Sequence, residues 1–234
     1  MRQISEIEVR SLLAELGICA ADTLLVHSAL QFLGVPEGGP GMYLRALEAS
    51  LGPKGNIVVP TFNFGFCRGQ EYDPATTPSE LGVFSELVRR DGRAMRSPHP
   101  LQSFAAIGPA ARDLAGRDTP SAFDPGSTFE RLLELNGRLL LLGADVQAAS
   151  AIHYSEQRLN VPYRFWKEFH GRVRCPAGLR DSSCRMFVRD LDVDVQLDLS
   201  PIRRHLSARG AWKACRLNYG EVSVCNLKDF VAAG

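Results

Sequence analysis

No Cys-x-x-Cys pair occurs in this sequence, although it holds six cysteines: Cys19, Cys67, Cys175, Cys184, Cys215 and Cys225. No grouping of cysteine, histidine and carboxylate has metal-ligand spacing either, so a zinc module is not expected and no metal is assigned. A secretory leader is also missing, because Glu6, Glu8 and Glu15 interrupt the apolar positions of MRQISEIEVRSLLAELG. The cysteines are therefore expected as free thiols rather than as a disulfide framework. No apolar run is long enough to cross a bilayer. Charge of one sign is lacking too: the formal net charge is +1, so nothing global draws the chain to nucleic acid or to an anionic membrane. Together these absences predict a soluble, cytoplasmic protein, monomer or homodimer, whose partner is a small molecule.

Three signatures of phosphate and nucleophile chemistry are absent as well. There is no P-loop with its Gly-Lys-Ser/Thr, and no Gly-x-Gly-x-x-Gly dinucleotide fingerprint. There is no Gly-x-Ser-x-Gly elbow, which counts against a hydrolase using Ser28 or Ser155 as nucleophile.

What is present is a chain of 234 residues, 45% hydrophobic, long enough for a sizeable core in one domain. Its first part alternates helical and strand-like patterns. Ile4, Ile7, Leu12, Leu13 and Leu16 fall near helical spacing, with Gly17 able to end the helix. Leu24-Leu-Val26 reads as a strand, and Pro40 suits the first turn of a helix running to about Leu51. Asn56–Phe62 reads as a strand whose Pro60 marks an end or an edge. After a long loop, Ser79 is expected to open a helix burying Leu81, Phe84 and Leu87. Residues 93–97 and 102–108 look extended. Ser127-Thr-Phe-Glu130 has the capping-box pattern. Arg138-Leu-Leu-Leu-Leu-Gly143 is apolar without alternation, as a strand buried on both faces is. Residues 148–160 read as a helix halted before Pro162. Beyond Arg164 come short strand-like pieces at 172–175, 184–189, 212–217 and 220–225, around a helix capped by Ser200 with Pro201 at its first position. The expected fold class is α/β, a three-layer α/β/α sandwich around a mixed sheet with a small antiparallel C-terminal appendage. Residues 1–164 would form the core and 165–234 a subregion completing the site, all in a single domain.

Four stretches carry candidate chemistry. In a helix over 148–160, His153 and Glu156 share a face, with Cβ atoms roughly 5–6 Å apart. A carboxylate beside an imidazole fixes its tautomer and favours the protonated ring, which suits a general base. A satisfied helix histidine beside a surface glutamate has the same spacing. His27-Ser-Ala-Leu30, followed by Gly34, is a strand running into a glycine-containing turn, where outward N–H groups favour phosphates. An ordinary strand–helix turn looks alike. In Arg96-Ser-Pro-His-Pro-Leu-Gln-Ser-Phe104, His99 lies between two prolines, after Arg89, Arg90 and Arg93. That cluster suits a polyanion or merely a solvated helix end. In Tyr72-Asp-Pro-Ala-Thr-Thr-Pro-Ser79, Asp73 suits a cationic substrate or an Asx turn.

Taken in order, these segments resemble the aminoglycoside 3-N-acetyltransferase family. The matching pieces are LLVHSAL…LG…EGGP at 24–40, LGPKGNIVVPTF at 51–62, YDPATTPSELGVFSELVRR at 72–90, RSPHPLQSFAAIGPAA at 96–111, and LLLLGADVQAASAIHYSEQRLNVPYR at 139–164. The resemblance thins after Arg164. It implies transfer of an acyl group from acetyl-CoA, or another acyl-CoA, to an amine of an amino sugar. It also implies a fold distinct from that of the common acetyltransferase superfamily. His153 falls on the family's general base and Glu156 on the motif's acid; Asp190 is the best match to a downstream acid. His27, Ser28 and Ala29 match the turn cradling the coenzyme pyrophosphate, and Leu30 and Gly34 are expected beside them as coenzyme contacts. Ser97, His99 and Ser103 match the segment lining the coenzyme channel. Backbone N–H groups near Ser28 or Thr61 would face the developing oxyanion. Asp73, Asp145 and Tyr163 are the expected acceptor contacts.

Departures concern the acceptor half. Many members have a Thr or Ser pair before the histidine, whereas this chain has Ala149-Ser-Ala-Ile152, and the region after Arg164 is unlike theirs. Glu71, Asp73, Asp145 and Glu156 would supply part of an acidic cleft for an aminoglycoside. Arg172, Arg174, Arg189, Arg203 and Arg204 equally suit a nucleotide-linked amino sugar. An acyl-CoA hydrolase and a non-catalytic coenzyme A-binding protein are the readings from other classes.

Overall fold

The structure is a computed structural model describing residues 2–234. Its main sheet has seven strands in the spatial order β10 (Trp212–Leu217), β11 (Gly220–Asn226), β7 (Arg138–Leu142), β2 (Thr23–Ser28), β4 (Asn56–Pro60), β6 (Phe104–Ile107) and β5 (Met95–Arg96). β7, β2 and β4 run parallel, and β11 and β6 join them antiparallel, so the sheet is mixed. The short β1 (Gln3–Ile4) and β3 (Val35–Pro36) pair beside it.

Both faces of the sheet are covered, which explains the unbroken apolar run of β7. Its Leu140 and Leu142 pack with Leu24, Val26, Ile57 and Val59 under α1 (Glu6–Glu15), α2 (Gly41–Leu51) and α3 (Val83–Arg90). Leu139 and Leu141 pack with Leu25 and Val58 on the opposite face. There α4 (Ala111–Ala115), α5 (Thr128–Glu134), α6 (Ile152–Leu159), α7 (Ser200–Ala208) and α8 (Leu227–Ala233) cover them. At roughly 1.5–3 kcal/mol per buried leucine side chain, those four leucines alone make β7 the centre of both cores.

The antiparallel appendage is a hairpin of two twelve-residue strands, β8 (Arg164–Cys175) and β9 (Gly178–Arg189), paired along their whole length. The other two strand-like pieces of the C-terminal region, β10 and β11, instead widen the main sheet past β7. The hairpin is tied to the core by arginine–carboxylate pairs: Arg164–Glu156, Arg172–Glu71, Arg180–Asp118 and Arg185–Asp124.

Several element ends differ from expectation, each for a local reason. α3 begins at Val83, not Ser79; Ser79 spends its hydroxyl on Leu81 N–H, and Phe84 and Val88 are the buried anchors. α6 begins at Ile152 because residues 146–148 form a separate 3₁₀ turn capped by Asp145, and Ser150 turns its hydroxyl to His27. Asn160, in the left-handed region at φ 49°, stops α6 two residues before Pro162. Ser127 caps α5, but the reciprocal bond from Glu130 goes to Gly126 N–H. α7 includes Ser200, whose N–H is received by Asp198. Pro60 ends β4 without lying at a sheet edge.

β2 is paired with β4 only at Thr23–Leu25, but with β7 as far as Ser28. Past Leu25 the carboxyl ends of β2 and β4 therefore part, and a crevice opens between them. In open α/β sheets ligands bind in such crevices. On the other flank of β2, Gly143 follows β7 and bridges Ser28, with φ +76° and a position where a Cβ would lie 2.6 Å from Ala29 O. Gly143→Ala is expected to cost at least ~1–2 kcal/mol of stability, measured as a lowered urea midpoint with unchanged slope.

Candidate active site

The crevice holds a cavity of about 300 Å³. His27 and Ser28 from the end of β2, Pro60 and Phe62 from β4 and its exit, and Leu81 and Ser85 from the approach to α3 form one side. Ser150, Ile152 and His153 from the start of α6 form the other, and Leu197 closes it from the linker after the hairpin.

His153 is partly exposed to this cavity, and its Nδ1 lies 2.6 Å from Glu156 Oε2. Glu156 is 2% exposed. Burial pushes its carboxyl up, but the bond to His153 and the charges of His153 and Arg164 more than reverse this and hold it below the ordinary carboxylate range. With Nδ1 engaged, Nε2 is the ring nitrogen left for chemistry. Phe123 meets the imidazole edge-on at 5.9 Å and fixes the ring from a second direction.

Across the cavity floor, His27 is 6% exposed, and its Nε2 lies 3.2 Å from Ser150 Oγ. Burial, with a smaller contribution from His153, pushes its imidazole down to about 4, so the ring is neutral at physiological pH. One histidine is thus paired with a carboxylate and the other with a hydroxyl, which separates their roles.

Other residues singled out in the sequence occupy different places. Asp190 does not reach His153: its N–H donates to Tyr163 O and its carboxylate receives the N–H of Asp192, so the acid on the imidazole is Glu156. Tyr163 lies against Glu156, and burial followed by that carboxylate pushes its phenol up. Asp145 is exposed beside the cavity-lining Gln147 and caps its turn. Asp73 forms an Asx turn with Ala75 N–H, and Arg174 lies 3.9 Å from its carboxylate. Ala29 donates its N–H to Leu142 O. Leu30 opens a 3₁₀ turn and packs against the core, while Gly34 takes a positive φ next to Arg2 O.

Thr61, Ser97, His99 and Ser103 are all buried, and Thr61 and Ser103 bond to each other. Thr61 N–H donates to Ser103 O at 2.8 Å, so that N–H is not free for an oxyanion. Ser97 Oγ receives Phe104 N–H. His99 Nδ1 receives Gln102 N–H at 3.0 Å, and burial pushes its ring down to about 4. Arg96 joins Thr61 and Ser103 to the 74–77 loop through both hydroxyls and the carbonyls of Thr61 and Thr77. Ser155 donates to Val231 O and does not line the cavity.

Sequence reasoning missed Arg164, Phe123 and Ser150 as parts of the site. A lone arginine after a proline, a phenylalanine in a loop and a serine before a helix carry no spacing signal. Their roles come only from the fold. All six cysteines are free, and among the described residues no group of three or more His, Cys, Asp or Glu side chains is placed to hold a metal ion.

The sequence pattern of aminoglycoside 3-N-acetyltransferases matches residues 25–234. The chain belongs to the aminoglycoside 3-N-acetyltransferase family. Aminoglycoside N(3)-acetyltransferase IV of Salmonella sp is 37% identical over 154 residues, which are 64% of this chain and 58% of that protein. The chain therefore matches less than two thirds of the length of this curated relative. Among solved structures, AAC-IIIb in a binary complex with CoASH superposes with a TM-score of 0.89 at 20% identity, covering 99% of this chain and 95% of that one; it bears on the fold alone. Aminoglycoside acetyltransferase AAC(3)-IVa, as a histidine-to-alanine mutant in complex with a gentamicin, has a TM-score of 0.84 at 28% identity, covering 100% and 87%. No helix among the described residues is long and apolar enough to cross a membrane.

Proposed function

We propose that the protein transfers an acetyl group from acetyl-CoA to an amine of a polycationic amino sugar of the aminoglycoside type, with His153 as general base. The carrying observation is the imidazole at the mouth of the crevice, its Nδ1 held at 2.6 Å by a buried carboxylate and its ring open to the cavity. That the gentamicin complex of the 28% identical enzyme was formed with a histidine-to-alanine mutant supports the assignment.

A sugar amine is largely protonated near neutral pH and has no lone pair in that form. That proton passes to solvent, the neutral amine attacks the thioester carbonyl, and His153 Nε2 accepts the second proton that the nitrogen must lose to become an amide. The C–N bond forms, the tetrahedral intermediate collapses, the C–S bond breaks, and the coenzyme leaves as a thiolate. Model thiols have a pKa of about 8.5, so strong acid assistance is unnecessary. Pro60, Phe62, Leu81 and Ile152 offer apolar walls for a pantetheine arm, and the hydroxyls of Ser28, Ser85 and Ser150 offer hydrogen bonds to its amides.

Charge accounting favours the polycationic acceptor. Arg172, Arg174 and Arg203 pair inside the molecule with Glu71, Asp73 and Glu221, which also removes Glu71 and Asp73 from any acidic cleft, while Arg189 and Arg204 form no ion pair among the described residues. Beside the cavity lie Asp145, which receives Gln147 N–H, and Asp198, which receives Gln147 Nε2 and also feels the charge of Arg204; among the described residues neither forms an ion pair. Asp192 and Asp194 lie in the same linker as Leu197 of the cavity wall.

An amine panel with acetyl-CoA, read by free-thiol release, tests the reading. Aminoglycosides are expected to be acetylated at least about tenfold more efficiently in kcat/KM than nucleotide-linked amino sugars, a difference of ~1.4 kcal/mol in transition-state binding. Preference for the nucleotide-linked sugars would replace the acceptor assignment. Thiol release without any amine would favour a hydrolase.

A further inference from the structure

Resting on the general-base reading of His153, we propose that Arg164 is the charge that lets Glu156 hold the imidazole in place without fixing a proton on it. Glu156 has two oxygens and two basic neighbours. Oε2 faces His153 Nδ1 at 2.6 Å, and Oε1 faces Arg164 Nε at 2.9 Å. The second contact is a charge contact rather than an aligned hydrogen bond, since neither Oε1 nor Nε has a hydrogen-bond partner of good geometry. Arg164 is itself held by a bond from Nη1 to Phe187 O at 3.0 Å on β9.

A buried carboxylate with only an imidazole beside it would be most stable with that imidazole protonated, because an unpaired buried charge is costly. Such a histidine orients well and accepts protons poorly. With Arg164 in place the Glu156 charge is already balanced when the imidazole is neutral. Glu156 still lies 2.6 Å away to share the positive charge that the imidazole takes on with the substrate's proton. The other titratable groups facing this pair are His27 from β2, which burial keeps neutral, and Tyr163, whose phenol is pushed up and stays protonated. Neither supplies the balancing charge. Arg164 touches no cavity wall and acts through Glu156, so it is a positioning residue.

The test follows the His153 ring by NMR titration of the whole chain without substrate, alongside pH profiles of kcat/KM. Arg164→Gln is expected to move the His153 titration to higher pH by about one unit, with the acid limb of the kcat/KM profile moving the same way. Arg164→Lys, which keeps the charge, is expected to stay within about 0.3 unit of wild type. Should the glutamine variant fail to fold, Glu156→Gln carries the test: with the carboxylate gone and Arg164 left, the His153 titration is expected to fall by about one unit or more. A titration unmoved in folded Arg164→Gln, or unmoved in Glu156→Gln, would overturn the proposal. So would equal movement in the glutamine and lysine variants, since that indicates a packing role. A protein inactive on every amine but showing these shifts would sink the proposed function and leave this inference standing. An active enzyme without them would do the reverse.

Discussion

His153→Ala is expected to lower kcat by about 10²–10⁴-fold, the usual range for removing a positioned general base. Under the proposed mechanism coenzyme A binding, followed by calorimetry, should stay near wild type, because the amine and not the coenzyme meets Nε2. The fold should survive as well. The ring is partly exposed, and the buried carboxylate it leaves behind still has Arg164 at 2.9 Å, so no unbalanced charge is created. A pH profile that loses its acid limb in the variant would mark the imidazole as the titrating group. Turnover within about tenfold of wild type would show that the proton leaves by another route.

The second large effect is loss of stability in acid. His27 and His99 are both buried, and each is pushed from 6.5 down to about 4. Between those values the unfolded chain holds a proton on each histidine and the native state does not. Stability is therefore at its plateau above about pH 6.5 and falls as the pH drops towards 4, with a slope of about two protons and a cost on the order of 3 kcal/mol per histidine. Glu156 adds a loss of the same sign at lower pH: its folded carboxyl is held down, so the stability it contributes disappears as the pH falls through that lowered value. Urea unfolding at pH 7.5, 6 and 5 measures this, and a midpoint constant across the three would contradict the burial argument. The two histidines would then have to be protonated in the native state, where His27 meets Ser150 and His99 accepts two backbone N–H groups.

How far the sequence reveals this molecule depends on whether a feature is local. The run Leu139–Leu142 lacks alternation, and it is buried on both faces as that pattern predicts. The His153–Glu156 spacing puts both side chains on one helical face, and they bond there. Partners distant in sequence are another matter. β10 and β11 are readable as strands, but nothing in Trp212–Asn226 says that its neighbour is β7, which lies far earlier in the chain. Asp190 looks like a second acid for His153 from the family resemblance; the linker instead brings its backbone to Tyr163 and turns its carboxylate to Asp192. Arg164 reaches Glu156 only because Asn160 adopts a left-handed turn that doubles the chain back on its own helix. The same limit applies to charge. Arg172, Arg174, Glu71 and Asp73 look like ligand groups when read singly, and in three dimensions they mostly neutralise one another.

The hairpin's two ends lie side by side. Arg164 and Arg189 are register partners, and Asp190 N–H reaches Tyr163 O at 2.9 Å. A segment that leaves and rejoins a scaffold at one point behaves as a cassette, since its length and content can change without moving the strands that carry the chemistry. His27, Ser28 and His153 belong to the scaffold; of the cavity lining only Leu197, from the linker after the hairpin, lies beyond the junction. Exchanging the interior of the hairpin inside this junction, with Arg164 and its contact to Glu156 kept, is therefore a route to changing the hairpin's outer surface without moving the crevice.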